Sequence, residues 1–299
     1  MKLKNPRLSV GLPVYNGERF IESTLISILS QDYEDFELII SDNASEDKTE
    51  DICRRYAKED NRIRYFRFQQ NTGAANNYNE TFKLSRGEYF KWAAYDDECH
   101  RAHFGRCVEV LDNAPDSVVM VYPQAELIDE EGKTIRKGLD RIGSKDLRPH
   151  RRLARVLWSS SFVDPFFGVI KKKFMRKTQL HGRYFGADNV FLGELSMLGE
   201  IWEIDEILFR LREHSGRSMK NPTARSRAAW FDPSAARKLF ILPEWEGMVW
   251  EMLKAVWRSE LHPEEKLKCS MVVPGVHYWG RFRNAGGRVK NQLKAFYSR

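Results

Sequence analysis

The sequence predicts an α/β fold, in which a mostly parallel sheet is flanked by helices and followed by a basic helical C-terminal extension. Three observations carry this reading. Short apolar runs alternate with stretches of helical period through the first hundred residues. A polar cluster directly follows three of those runs, at residues 13–16, 42–47 and 96–97. Beyond His214 the chain becomes rich in Trp, Arg and Lys. Strand and helix in alternation imply crossover connections, and hence parallel strands.

Residues 8–12 form an apolar run ended by Pro13. Phe20, Ile21, Thr24, Leu25, Ile28 and Leu29 then share one helical face. The unit repeats as a strand at 36–41, an Asp/Asn/Ser turn at 42–47 and a helix at 49–58. A third strand spans 63–68. Asn71, Thr72 and Gly73 punctuate the chain before a helix at 74–84, and a fourth strand at 88–94 runs into Tyr95, Asp96 and Asp97.

A helix is expected at 100–111, a strand at 117–128 and an acidic turn at 129–132. Residues 137–150 show no period and read as a loop. Residues 162–170 are apolar and aromatic. A helix at 188–198 places Val190, Leu192, Leu195 and Leu198 toward a core, and 201–211 holds one or two strands. Residues 217–227 read as polar and irregular, with helical stretches near 243–260 and 288–297.

With 299 residues and 42% hydrophobic content, the chain can bury a full core. It has no run of eighteen apolar residues, and residues 1–8 are short and basic, so a cytoplasmic protein is expected. Cys53, Cys99, Cys107 and Cys269 lack metal-ligand spacing and do not read as a disulfide framework. Residues 217–299 hold 16 Lys or Arg against 7 Asp or Glu, more than the whole net charge of +7. Such an end can face solvent, an anionic bilayer or nucleic acid.

In open parallel sheets ligands bind at the carboxyl ends of strands, which is where the three polar clusters fall. The dinucleotide fingerprint is absent after the first strand, and so is a P-loop. Adjacent carboxylates repel, so Asp96 and Asp97 are best accommodated by a divalent cation that bridges them to substrate phosphates. A solvated acidic turn is the plain alternative, and their position after an apolar strand favours the cation. Asp188 fits either a helix N-cap or a general base. Arg210, Arg212 and His214 alternate on one face and could aim at a diphosphate. Trp92, Phe166 and Phe167 could stack on a sugar, although aromatics at such spacing usually belong to a core.

The runs LSVGLPVYN, SILSQDYEDFELIISDNASED, NTGAANNYN and GEYFKWAAYDD, in that order, resemble family 2 glycosyltransferases of the GT-A fold. The likeness continues through GADNVFLGELSMLGEIWEIDEILFRLREH. It implies a catalytic domain over 1–215, with a nucleotide-sugar half at about 1–98 and an acceptor half at about 99–215, and leaves 216–299 as the basic aromatic-rich region. It also implies inverting transfer of a sugar from a nucleotide-diphosphate donor, with UDP-sugars favoured, to a hydroxyl of a glycan or lipid-linked acceptor.

Carried onto this chain, the resemblance places Pro13, Tyr15 and Asn16 at the nucleotide, Asp42 at the base edge, and Asn76 and Asn77 in the loop facing it. Asp96 goes to ribose or metal, and Asp97 becomes the direct ligand of Mn²⁺ or Mg²⁺. His214 is implied as a third ligand or phosphate contact, and Asp188 as the base. Ser41, the Tyr95-Asp96-Asp97-Glu98 run and Ala187 depart from the common pattern. A sugar-nucleotide nucleotidyltransferase would want a glycine-rich basic loop after the first strand, and a nucleic-acid binder would leave the three clusters unexplained, so no nucleic-acid partner is expected. The basic C-terminal region, with its interleaved Trp residues, allows peripheral contact with the inner face of an anionic membrane.

Overall fold

The computed structural model describes residues 5–138, 140–159, 163–217, 223–237 and 243–276. Strands β1 (Leu8–Val14), β2 (Phe36–Asp42), β3 (Ile63–Arg67) and β4 (Tyr89–Trp92) lie parallel in the order β3-β2-β1-β4. Helices α1 (Ile21–Leu29), α2 (Thr49–Glu59) and α3 (Ala74–Leu84) make the crossovers. Every residue of β1 and β2 is buried, so these strands read as mostly apolar runs, with Ser9, Glu37, Ser41 and Asp42 as polar exceptions, rather than as alternation. The chain steps outward from β1 to β2 and β3, then returns to put β4 on the other flank of β1. The switch-point crevice therefore opens between the carboxyl ends of β1 and β4. Close packing of α3 holds that crevice in shape, since a Cβ at Gly11 would lie 2.3 Å from Thr81 Oγ1.

Beyond β4 the sheet is mixed. Strands β5 (Glu98–Cys99), β6 (Val118–Ile128), β7 (Thr134–Lys137), β8 (Val169–Lys171) and β9 (Glu200–Arg212) extend it in the order β4-β8-β6-β9-β5, with β7 on β6. β8 runs antiparallel to both β4 and β6, whereas β6 and β9 are parallel. The parallel expectation thus holds for the first half, and antiparallel pairing enters where β8 is inserted. Helices α4 (His103–Asn113), α5 (Pro149–Ser159), α6 (Lys172–Met175) and α7 (Ala187–Leu198) cover this half.

Two elements correct the sequence reading. Helix α5 begins at the end of the stretch taken as a loop, and α8 (Ala224–Phe231) begins within the stretch taken as irregular. A reciprocal cap between Thr223 and Ser226 starts α8. Helix α9 (Glu244–Arg258) matches the helical stretch expected near 243–260, and residues 263–276 form a further helix, α10. The expected helix at 288–297 lies outside the described residues.

The C-terminal helices are packed onto the sheet domain. Met252, Ala255 and Val256 of α9 and Cys269 and Val273 of α10 share a core with Leu153 of α5 and Val190 of α7. All four cysteines are free and buried.

Candidate active site

Asp96 and Asp97 follow β4 and sit on the crevice. The Thr24 hydroxyl of α1 donates to the carbonyls of Tyr95 and Asp97, both at 2.8 Å, and so fixes the turn that presents the pair. Asp97 is 4% exposed, and its Oδ1 accepts the backbone N–H of Arg212 at 2.8 Å. Burial, with Asp96 beside it, pushes the Asp97 carboxyl well above the usual carboxylate range. Strand β9 delivers His214 to the same place, with Nε2 2.8 Å from Asp96 Oδ2. The N–H of Gly216 donates to His214 Nδ1 at 3.2 Å, so the neutral ring carries its proton on Nε2 and donates it to Asp96. In this geometry His214 orients Asp96, and its expected role as a direct metal ligand would require it to release that carboxylate.

Two other expectations fail. Arg212 donates from Nε to the carbonyl of Asp96 at 2.9 Å and from Nη1 to the carbonyls of Asp129 and Glu130 at 3.1 and 3.0 Å, and its Nη2 pairs with Glu98. Arg210 donates to Glu126 at 3.0 Å, to Glu98 at 2.6 Å and to the carbonyl of Gly132 at 2.5 Å. Both guanidinium groups tie the 129–132 turn to β9. They are structural clamps rather than phosphate contacts, because their donors are already spent inside the protein.

Of the residues expected at a nucleotide, Pro13 pairs in register with Ser41, and Tyr15 is 38% exposed. Asn16 is left-handed at φ 50°, and its side chain accepts the N–H of Glu46 at 2.9 Å. Asp42 is fully enclosed, accepting the N–H of Ser45 at 2.8 Å and the Tyr65 hydroxyl at 2.7 Å. Its carboxylate therefore shapes the turn after β2 and does not reach a base edge in this conformation. Asn76 donates to Thr72 Oγ1 at 3.0 Å, which holds the start of α3. Asn77 donates to the carbonyl of Val14 at 3.2 Å, while its Oδ1 is buried without a partner.

Asp188 lies one residue inside α7, whose N-cap is Gly186, so it is not the N-cap. Gly186 is left-handed at φ 75°, and a Cβ there would meet Met248 Sδ of α9 at 2.6 Å. The C-terminal hairpin thus braces the turn that aims Asp188. Burial raises the Asp188 carboxyl, against the opposing hydrogen bond from the N–H of Asn189 at 2.9 Å. Tyr78 of α3, absent from the sequence reading, feels the fields of all three carboxylates. Its phenol is pushed well above the ordinary value by burial and then by the fields of Asp96, Asp97 and Asp188, which converge on it.

Trp92 and Phe166 stack on each other at 4.8 Å, with Tyr78 edge-on to both at 5.9 Å. They are core rather than sugar platforms, being fully buried and 3% exposed. Just before Phe166, Asp164 accepts the N–H of Asp140 at 3.2 Å, and Val163 is held left-handed at φ 61°. Burial and the neighbouring Asp140 push the Asp164 carboxyl up to about 7 from 3.8. The folded value exceeds the unfolded one, so this group's contribution is fully favourable below about pH 4 and is lost as pH rises toward 7. Asp164→Asn is expected to raise the Tm at pH 8 relative to the native chain and to leave it nearly unchanged at pH 4. A calorimetric pH series with parallel curves for the two proteins would refute this.

The donor set suits a hard divalent cation. Asp96 and Asp97 offer adjacent carboxylate oxygens whose mutual repulsion a cation would relieve. Among the described residues no three His, Cys, Asp or Glu groups converge as a ready cage. Behind the pair, Lys91 is fully buried in β4 and donates to the carbonyl of Trp92 at 3.1 Å, its field falling on Asp97. The sequence signal was present, since a lysine inside an otherwise apolar buried strand needs a reason.

Comparison with known proteins follows this geometry. A Campylobacter jejuni GalNAc(5)-diNAcBac-PP-undecaprenol beta-1,3-glucosyltransferase is 29% identical over 191 residues, covering 61% of this chain and 57% of that protein. The Bacillus subtilis protein TuaG, described as a putative teichuronic acid biosynthesis glycosyltransferase, is 38% identical over 106 residues, 36% of this chain and 42% of its own. An uncharacterised Rickettsia felis glycosyltransferase is 32% identical over 133 residues, and the match covers 44% of this chain but only 21% of that longer protein. Among solved structures, S. aureus TarS 1-349 in complex with UDP-GlcNAc superposes with a TM-score of 0.66 at 15% identity, covering 91% of this chain and 72% of that one. A Pyrobaculum calidifontis mannosyltransferase with GDP-Man and Mn²⁺ gives 0.54 at 17% identity, covering 98% and 81%. These structural likenesses establish the fold. The profile described as Glycosyl transferase family 2 matches residues 9–178, more than half of the sequence, and the chain belongs to that family.

Proposed function

We propose that this protein is an inverting, divalent-metal-dependent glycosyltransferase that moves a sugar from a nucleotide-diphosphate donor, with UDP-sugars favoured, to a hydroxyl of a glycan or lipid-linked acceptor. The presentation of Asp96 and Asp97 at the carboxyl end of β4, with their turn fixed by Thr24 and with His214 Nε2 2.8 Å from Asp96, carries the reading. Asp97, with Asp96 oriented by His214, would hold Mn²⁺ or Mg²⁺, which supplies positive charge to the departing diphosphate. Asp188, whose carboxyl burial makes more basic than usual, takes the proton of the acceptor hydroxyl. Pro13, Tyr15 and Asn76 line the approach to the nucleotide side. The UDP-GlcNAc complex of TarS and the undecaprenol-linked substrate named for the Campylobacter relative support the choice of donor and acceptor class. A thermal-shift screen of UDP-, GDP- and dTDP-sugars with Mn²⁺ tests it. A cognate donor at a hundred times its Kd stabilises by about 2.7 kcal/mol, and a flat response to every donor would overturn the reading.

The same reading places the protein peripherally on the cytoplasmic face of a membrane. Among the described residues no helix is long and apolar enough to cross one. Trp250 and Trp257, seven residues apart on α9, are 56% and 55% exposed, and Leu267 and Met271 of α10 are exposed as well. Residues 277–299, outside the described structure, contain six Lys or Arg and no Asp or Glu. The Trp250→Ala, Trp257→Ala double variant is expected to lose about tenfold in affinity for anionic vesicles. Equal co-sedimentation of variant and native protein, or binding indifferent to anionic lipid, would exclude membrane contact through this face.

A further inference from the structure

The opposite end of the sheet carries a second cavity of about 430 Å³. It lies at the amino edges of β1 and β4, where Lys171 of antiparallel β8 pairs with Tyr89. The seven residues of β1 separate it from the Asp96 and Asp97 end by roughly 23 Å. Its walls hold Arg7, Lys171, Lys172, Lys173 and Arg176 together with Glu88, Asp112 and Asp116.

The acids are already engaged. Arg7 pairs with Glu88 at 3.1 Å and with Asp112, which also accepts the Tyr89 hydroxyl at 2.6 Å. Lys173 pairs with Asp116 at 3.1 Å. Glu37, whose field reaches Lys172, is held by Arg64 and Arg86 at 2.9 and 2.8 Å.

Lys171 and Lys172 are different. Each is 8% exposed, and each donates to a backbone carbonyl rather than to a carboxylate: Lys171 to Pro115 at 3.2 Å, Lys172 to Ser85 at 2.5 Å. Burial lowers both ammonium groups below their ordinary value. Arg176, exposed on the rim, adds a third positive charge next to Lys172. The acids whose fields reach Lys171, namely Asp116, Glu88 and Asp112, are paired with Lys173 and Arg7, so the two enclosed ammonium groups have no carboxylate in direct contact, and an anion in the cavity would lower the cost of burying them. The volume is larger than one phosphate needs and lies at the small end of ligand pockets, about 300–1,000 Å³.

We propose that this cavity is a second anion site, separate from the donor site, for a soluble ligand of the pyrophosphate or sugar-phosphate class held by Lys171, Lys172 and Arg176. The proposal stands independently of the transfer reaction. Calorimetric titration of the full chain with pyrophosphate in EDTA tests it, because without a divalent cation the Asp96 and Asp97 end repels the probe.

One equivalent is expected to bind the native chain and Asp97→Asn with the same affinity. The Lys171→Gln, Lys172→Gln double variant is expected to weaken binding at least about tenfold. Arg176→Gln, a rim change that leaves the interior packing alone, is expected to weaken it severalfold with an unchanged Tm. Absence of binding to the native chain, equal binding by the lysine and Arg176 variants, or loss of binding in Asp97→Asn would each overturn the assignment. Binding only to phosphatidic acid vesicles, and not to soluble pyrophosphate, would overturn it as well.

Discussion

Asp97→Asn is expected to lower metal-dependent turnover of the donor by about 10³-fold, the rate equivalent of several kcal/mol of charge stabilisation. The substitution is close to isosteric, and the amide oxygen can still accept the Arg212 N–H that Asp97 accepts at 2.8 Å. What it removes is the carboxylate charge that a bound cation would meet, at a position where burial and Asp96 already disfavour ionisation. The Tm of the metal-free protein should therefore hold or rise, since the native pair pays for its proximity when no cation is bound. Loss of activity joined to retained stability separates a ligand from a merely structural acid. If Asp97→Asn kept full turnover in Mn²⁺, or if its response to added Mn²⁺ matched that of the native chain, Asp97 would not be the ligand.

The strands and the location of the site were legible because both follow from local pattern. Mostly apolar runs marked β1 and β2, and the polar residues directly after β1, β2 and β4 marked the carboxyl edge. The illegible parts depend on partners distant in sequence. Spacing correctly put Arg210 and Arg212 on one face, but nothing local says that the 129–132 turn folds over that face and consumes their donors. Asp42 read as a base contact, yet it is enclosed by Tyr65 from the neighbouring strand.

Helix α5 was missed because Arg152 occupies a core position. The residue is 6% exposed and donates to the carbonyls of Ser196, Met197, Asp146 and Leu147, so a polar letter stood where the helical period wanted an apolar one. Tyr78 gave no signal at all. Its surroundings come from Asp96 and Asp97 on one segment and Asp188 on another, whose fields reach it only in the fold.

Asp188→Asn is expected to lower kcat for transfer by about 10²- to 10⁴-fold, the usual contribution of a positioned base, while leaving donor affinity near native. Asparagine keeps the acceptor oxygen that takes the Asn189 N–H, so the start of α7 should survive. The pH profile supplies the sharper criterion. A base works ionised, and burial displaces the Asp188 titration upward, so the rate should climb with pH through a limb lying above the ordinary carboxylate range. Asp164, which titrates at about 7 beside Phe166, could place a limb in the same region through the fold rather than the chemistry. The two variants separate these causes. If Asp188 is the base, the rising limb persists in Asp164→Asn and disappears in Asp188→Asn, whose residual rate becomes flat in pH. A limb that survives in Asp188→Asn and vanishes in Asp164→Asn would move the pH control to the 163–167 segment and remove Asp188 from the reaction.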